Sequence, residues 1–140
     1  MNPQIWGPST WLFLHSITLN YPNNPTKLEQ NQCILFFESL ASQLPCMKCQ
    51  YHYKLLLKKY PIHFFVNSKQ RLIEWLIFIH NCVNISIGKP IFRFEQFKKK
   101  YLLLYNNTQS NNYIKYIMIT LLVLFIIIIL KNKYYKLFRL

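Results

Sequence analysis

The sequence predicts an all-α protein: a four-helix bundle with a short fifth helix, followed by a C-terminal transmembrane helix. Three observations lead there. Glycine occurs only at Gly7 and Gly88, too rarely for the turns of a sandwich or barrel, and no hairpin turn appears. Apolar residues recur at helical spacing in segments punctuated by Tyr21-Pro22-Asn23-Asn24-Pro25, Pro45, Tyr60-Pro61 and Gly88-Lys89-Pro90. Finally, Tyr116 to Leu130 runs without a single charge.

The elements follow in order. Trp6 to Tyr21 reads as the first helix, with Pro8 in its first turn, Ser9 or Thr10 helping to cap it, and Trp11 and His15 on one face. Thr26 with Glu29 three residues on has the spacing of a capping box, and starts a second helix that reaches about Leu44. Its apolar side carries Cys33, Phe36, Phe37, Leu40 and Ala41. The third helix, Met47 to Tyr60, stops before Pro61, and 62–67 is a connector. Asn67 or Ser68 caps the fourth, which runs through Trp75, Leu76 and Ile79 into His80-Asn81-Cys82-Val83-Asn84 and ends at Gly88. Phe94 to Tyr105 is a short fifth helix.

These elements make a domain of residues 1–105, followed by a polar linker at 106–113, where Asn106 to Asn112 reads NNTQSNN. A transmembrane helix at 114–130 and a basic tail at 131–140 complete the chain. The span is slightly short of the roughly 20 residues that cross a bilayer. Its β-branched run Ile126 to Ile129, flanking tyrosines and the cations Lys131, Lys133, Lys136 and Arg139 favour a membrane over a core helix. The N-terminus lacks a basic region followed by an apolar stretch, so no signal peptide is expected. Basic residues balance across the span, and its nearness to the C-terminus suggests a tail anchor with the bundle in the cytosol.

The net charge of +13 comes from 17 basic against 4 acidic residues, scattered over amphipathic segments except for Lys98-Lys99-Lys100, so nucleic acid is not an expected partner. The four cysteines, Cys33, Cys46, Cys49 and Cys82, are too few for a disulfide-stapled secreted scaffold. Cys46-Met47-Lys48-Cys49 is the chemically informative pair, because two thiols at this spacing close a redox disulfide or grip a metal ion. A thiolate there would lie near the start of the third helix, where the backbone favours negative charge. Trp11 beside His15 reads, taken alone, as a core tryptophan next to a hydrogen-bonded histidine.

Taken together, the segments resemble the Erv/ALR family of FAD-linked sulfhydryl oxidases. The resemblance covers roughly residues 5–105. It starts at Trp6-Gly7-Pro8-Ser9-Thr10-Trp11-Leu12-Phe13-Leu14-His15, similar to the family's G-x-x-x-W-x-x-L-H segment, and continues through Tyr21-Pro22 and Pro45-Cys46-Met47-Lys48-Cys49. It closes with His80-Asn81-Cys82-Val83-Asn84 and Gly88-Lys89-Pro90. The resemblance implies that Gly7, Trp11, His15, His80, Asn81, Val83, Asn84 and Tyr101 line FAD, with Lys89 and Lys100 near its phosphates, and that no metal takes part. It further implies that Cys46 exchanges with a substrate dithiol while Cys49 faces the flavin, which passes two electrons to molecular oxygen and yields hydrogen peroxide. A homodimer through the first helices and a large DNA virus as source are further expectations, with the oxidase domain cytosolic or associated with a virion.

The chain also departs from the family pattern. Leu44 stands where a tyrosine often precedes the first cysteine, Pro8 where a basic residue commonly follows the glycine, and Tyr101 where a tryptophan is common. The C-x16-C pair is replaced by Ile77 and Phe94, and Cys33 and Cys82 are left to pair, shuttle electrons or stay as buried thiols. Two alternatives compete: a zinc-binding structural module built on Cys46, Cys49 and His52 with His80 and Cys82, and a catalytically inactive membrane adaptor on the same fold.

Overall fold

The computed structural model describes the backbone of residues 1–137, and the side chains of all of these except 102, 104–112 and 135–137. It is all-α, with no strand among the described residues. Helix α1 covers Pro3–Asn20 and starts three residues earlier than expected. The cap is Asn2, whose side chain accepts the Gln4 N–H at 3.0 Å, with Pro3 at the first helical position. Pro8 therefore lies inside the helix and offers no N–H to the carbonyl one turn back. Thr10 does not cap either; its hydroxyl donates to the Trp6 carbonyl at 3.0 Å.

Helix α2, Lys27–Gln43, opens with the anticipated capping box: Thr26 Oγ1 accepts the Glu29 N–H at 3.3 Å, and the Glu29 carboxylate accepts the Thr26 N–H at 2.7 Å. Helix α3 is Met47–Lys59, and a single 3-10 turn at Ile62–Phe64 follows Pro61 and buries Ile62. Helix α4, Lys69–Ser86, starts at Ser68, whose hydroxyl accepts the Arg71 N–H at 3.3 Å. It ends in a Schellman motif: Gly88 N–H bonds the Ile85 carbonyl at 3.2 Å and Lys89 N–H the Asn84 carbonyl at 2.8 Å. This closure needs a left-handed residue, and Gly88 supplies it at φ 70°.

The core gathers Leu14 from α1 and Tyr21 at its C-cap, Cys33, Phe37 and Ala41 from α2, Tyr53 from α3, and Leu72, Trp75, Leu76 and Ile79 from α4, together with Ile62 and Val66. The apolar side expected for the second helix is thus the one buried. Three buried aromatics spend their polar atoms on neighbouring backbone, as burial requires. Tyr21 Oη donates to Val66 O at 2.8 Å, Tyr53 Oη to Phe37 O at 3.1 Å, and Trp75 Nε1 to Tyr60 O at 3.0 Å. Each bond ties one helix to a different chain segment, so the aromatics fix positions as well as fill volume.

Helix α5, Phe94–Leu137, differs from the expectation of two elements joined by a linker. Its backbone stays helical through 106–112, where the polar run reads as a linker. No glycine or proline follows Pro90, so nothing local breaks the helix, and each polar residue there costs only about 0.5 kcal/mol of propensity. The chain divides into two units, Met1–Phe97 and the part from Lys98 onward. In the second unit, Tyr113–Tyr134 is long and apolar enough to cross a membrane and none of it is buried. The last residues of the expected basic tail, Arg139 among them, lie outside the described residues.

Candidate active site

The site starts from two sulfurs. Cys46 and Cys49 form a disulfide with their Cα atoms 5.1 Å apart. Cys46 is the N-cap of α3, and Cys49, at the third helical position, directs its N–H at Cys46 Sγ over 3.2 Å. The tight join between α2 and α3 is held by Gln50, whose Nε2 donates to Leu44 O at 2.7 Å and Ser42 O at 3.1 Å. Both carbonyls lie at the C-terminus of α2, where helical partners run out, and Leu44 O also accepts the Cys46 N–H at 2.8 Å. Sequence reasoning missed Gln50, since a glutamine inside a helix carries no motif. Leu44 is half-buried against the core, and the Met1 amino group donates to Pro45 O at 3.1 Å, placing the start of α1 beside the residue before Cys46.

When the disulfide is reduced, a thiolate at Cys46 faces the unpaired N–H groups of the first turn of α3 and the positive end of its dipole. No acidic residue occurs between Leu44 and Tyr60, whereas Lys48, Lys54, Lys58 and Lys59 do. The local field therefore favours sulfur in its anionic, exchanging form.

The second cluster joins α1 to α4. The Trp11 and His80 rings stack with centroids 3.9 Å apart and planes 4° from parallel. His15 Nε2 and His80 Nδ1 lie 3.0 Å apart, so one ring nitrogen donates and the other accepts. His15 is buried, with the Phe97 ring 4.8 Å away, and the Phe92 ring lies 5.4 Å from His80. Three residues singled out by motif thus meet as one nest, and Phe92 and Phe97 are additions that sequence reasoning missed. Asn84, one turn beyond His80, is buried, and Val83 is half-buried.

Asn81 has a specific structural partner. Its Nδ2 donates to Phe92 O at 2.8 Å and its Oδ1 accepts the Phe92 N–H at 2.7 Å. This clamp holds the irregular stretch after Gly88 against α4, and so sets where Phe92 stands beside His80. Lys89 follows the Schellman turn and is exposed. Lys100 and Tyr101 belong to the second unit, where the Lys100 ammonium sits 5.5 Å over the Tyr101 ring. Tyr101 is buried, and burial pushes its hydroxyl above the usual range.

Two further observations concern what the nest can accept. Trp6 Nε1 is buried and has no hydrogen-bond partner among the described residues. A Cβ at Gly7, the next residue, would meet nothing within 4 Å. An indole N–H to be satisfied, open space along the helix, a stacked indole–imidazole pair and buried amides suit a flat heteroaromatic ring with polar edges.

The remaining thiols are not bonded to each other. Cys33 is buried in the core, and burial pushes its thiol up to about 11, so it stays protonated at neutral pH. Cys82 is half-buried and is raised too, chiefly by burial. As for a zinc module, the sulfurs of Cys46 and Cys49 are bound to each other, and the described residues contain no group of three or more metal-ligating side chains.

Comparison with known proteins gives a consistent result. The model of the Erv1 / Alr family matches residues 8–102. A probable FAD-linked sulfhydryl oxidase of Acanthamoeba polyphaga mimivirus is 39% identical over 97 residues, 69% of this chain and 68% of that protein. The mitochondrial FAD-linked sulfhydryl oxidase of Schizosaccharomyces pombe is 37% identical over 94 residues, 67% of this chain but only 52% of its own length. The crystal structure of the FAD binding domain of Erv1 from Saccharomyces cerevisiae superposes with a TM-score of 0.68 at 27% identity, covering 72% of this chain and 94% of that one. The family model spans more than half of the chain, the fold superposes on that of a solved relative, and the chain belongs to the Erv1 / Alr family.

Proposed function

We propose that this chain is an FAD-linked sulfhydryl oxidase that forms disulfides in protein substrates. The observation that carries the proposal is the Cys46–Cys49 disulfide at the N-terminus of α3, in a chain whose family relatives bear that activity in their names. FAD is the cofactor this reading assigns to the nest of Trp11, His15 and His80, with Asn84, Val83 and Gly7 beside it. Trp6 Nε1 is a donor that a bound ring can satisfy. Lys89 and Lys100 are assigned to the phosphates for their charge.

The reaction begins with a substrate thiolate attacking Cys46 Sγ. The sulfur–sulfur bond breaks, its electron pair passes to Cys49, and a mixed disulfide forms between substrate and Cys46. The second substrate thiolate attacks the substrate sulfur of that bond, and Cys46 departs as a thiolate stabilised by the Cys49 N–H and the start of the helix. The substrate has then lost two electrons and two protons, and the Cys46, Cys49 pair holds the electrons. Bound FAD supplies the two-electron acceptor that restores the disulfide, with molecular oxygen as final acceptor and hydrogen peroxide as product. Cys49, inside the first turn, is the thiol assigned to the flavin side.

The same reading makes the protein a single-pass membrane protein through Tyr113–Tyr134, with the oxidase domain in the cytosol or on a virion of a large DNA virus, as the mimivirus relative suggests. A homodimer through the first helices is supported by apolar residues left exposed there, Ile5, Leu12 and Phe13 on α1 and Leu28 and Leu35 on α2. The decisive experiment is Cys49→Ser in the full chain. The variant should purify yellow with FAD and consume no oxygen with a dithiol. Wild-type oxygen consumption by Cys49→Ser removes the assignment, and protease protection of the bundle in intact membranes removes the cytosolic placement.

A further inference from the structure

The outer face of α3 is exposed among the described residues and leads directly to the disulfide. Met47, between the two cysteines, is 86% exposed, and Tyr51 and Leu55 follow at 62% and 48%. Spaced four apart, they form one apolar stripe of about 12 Å along the helix. Lys54 and Lys58 flank the stripe on one side and Lys48 on the other, Lys59 lies four residues beyond Leu55 at its far end, and all four are exposed. The chain has four acidic residues, Glu29, Glu38, Glu74 and Glu95, and none lies on this helix.

We propose that this face is the docking surface for the substrate protein, and that it receives an acidic, apolar segment adjoining the substrate's cysteine pair. The inference deepens the oxidase reading and rests on it. Continuity is one argument, because a chain lying on Tyr51 and Leu55 arrives at Cys46 and Cys49 as it passes Met47. Charge is the other: an apolar stripe bordered by lysines complements an apolar stripe bordered by carboxylates. A lipid surface could use the same chemistry, but it would cover the disulfide that substrates must reach.

The test uses the full chain in detergent micelles and two synthetic dithiol peptides with the same cysteine pair. One carries an acidic, apolar flank and the other a neutral, polar flank. Wild-type protein should oxidise the acidic peptide with the higher kcat/KM, and added salt should lower only that preference. Tyr51→Ser with Leu55→Ser, or separately Lys54→Glu with Lys58→Glu, should lower kcat/KM for the acidic peptide by about tenfold or more, as loss of interface anchors does. Turnover of dithiothreitol should be unchanged in Tyr51→Ser with Leu55→Ser, since it needs no docking; for the lysine pair, whose charges also act on the thiolate, the loss is read as the ratio of peptide to dithiothreitol kcat/KM. Binding gives a readout independent of turnover: a fluorescent acidic peptide with both cysteines replaced by serine should bind wild type and lose affinity for the same variants.

Equal kcat/KM for the two peptides, or no response to either pair of substitutions, overturns the proposal. So does a variant that keeps the peptide preference while losing binding to phosphatidylserine vesicles, or one that changes from dimer to monomer by light scattering. Absence of dithiothreitol turnover in the wild type overturns the oxidase reading itself, and the docking claim with it.

Discussion

Replacing Asn81 by alanine tests whether the nest is held together by a single amide. Its two side-chain atoms make both bonds with Phe92, at 2.8 and 2.7 Å, and both groups are partly buried. A net hydrogen bond contributes about 1 kcal/mol, and a donor left buried and unpaired costs about 1–3 kcal/mol, so the pair should be worth about 2–4 kcal/mol. At about 4–8 °C per kcal/mol for a domain near 100 residues, the apoprotein midpoint should fall by about 10 °C or more. Asn81→Asp, similar in shape, should not rescue it, because a carboxylate oxygen would then face the Phe92 carbonyl. The assay is thermal unfolding followed by circular dichroism on the full chain in micelles, with and without FAD. An apoprotein midpoint unchanged by Asn81→Ala, with FAD affinity lost, would show that Asn81 serves the cofactor directly and not through Phe92.

Three other outcomes follow from the same geometry. Gly88→Ala meets no side chain, so its whole cost is the left-handed φ of 70°, about 1 kcal/mol, visible as a lower unfolding midpoint. Trp6→Phe removes a buried N–H without a partner among the described residues, so the apoprotein should be no less stable while FAD release, followed by flavin fluorescence, becomes easier; unchanged FAD release would exclude Trp6 from the cofactor site. For Cys33, burial raises the folded thiol to about 11 from an ordinary 9, so the unfolded chain ionises first as pH rises. Its contribution is intact below about pH 9 and falls away up to about 11, and Tyr21, raised to about 12 chiefly by burial, adds to the loss in the same direction. Denaturant midpoints measured from pH 8 to 11 should decline, and less so for Cys33→Ala.

Much of the bundle was legible in the chain because its boundaries are set by local chemistry. Thr26 with Glu29, Ser68, Pro61 and Gly88 act within a turn of themselves, and the structure uses each of them where the sequence places it. The start of α1 was misplaced for the same kind of reason, since Asn2 is the better cap and Pro8 is tolerated inside a helix that packs well. The helical backbone of the polar stretch at 106–112 is not legible in its composition, because polarity signals exposure, and exposure does not end a helix that lacks glycine and proline.

By itself, the sequence determined which residue types are present and how they recur: the paired thiols, the Trp11–His15 spacing, the His80 segment and the apolar C-terminal run. Only the tertiary structure decided that Trp11 stacks on His80, that Gln50 closes the joint before Cys46, that Asn81 clamps Phe92 and that Cys33 is sealed in the core. The reason is physical. Caps and turns are fixed by neighbours along the chain, whereas ring stacking, burial and side-chain-to-backbone pairing join residues 6 to 69 positions apart, whose meeting depends on how the helices pack.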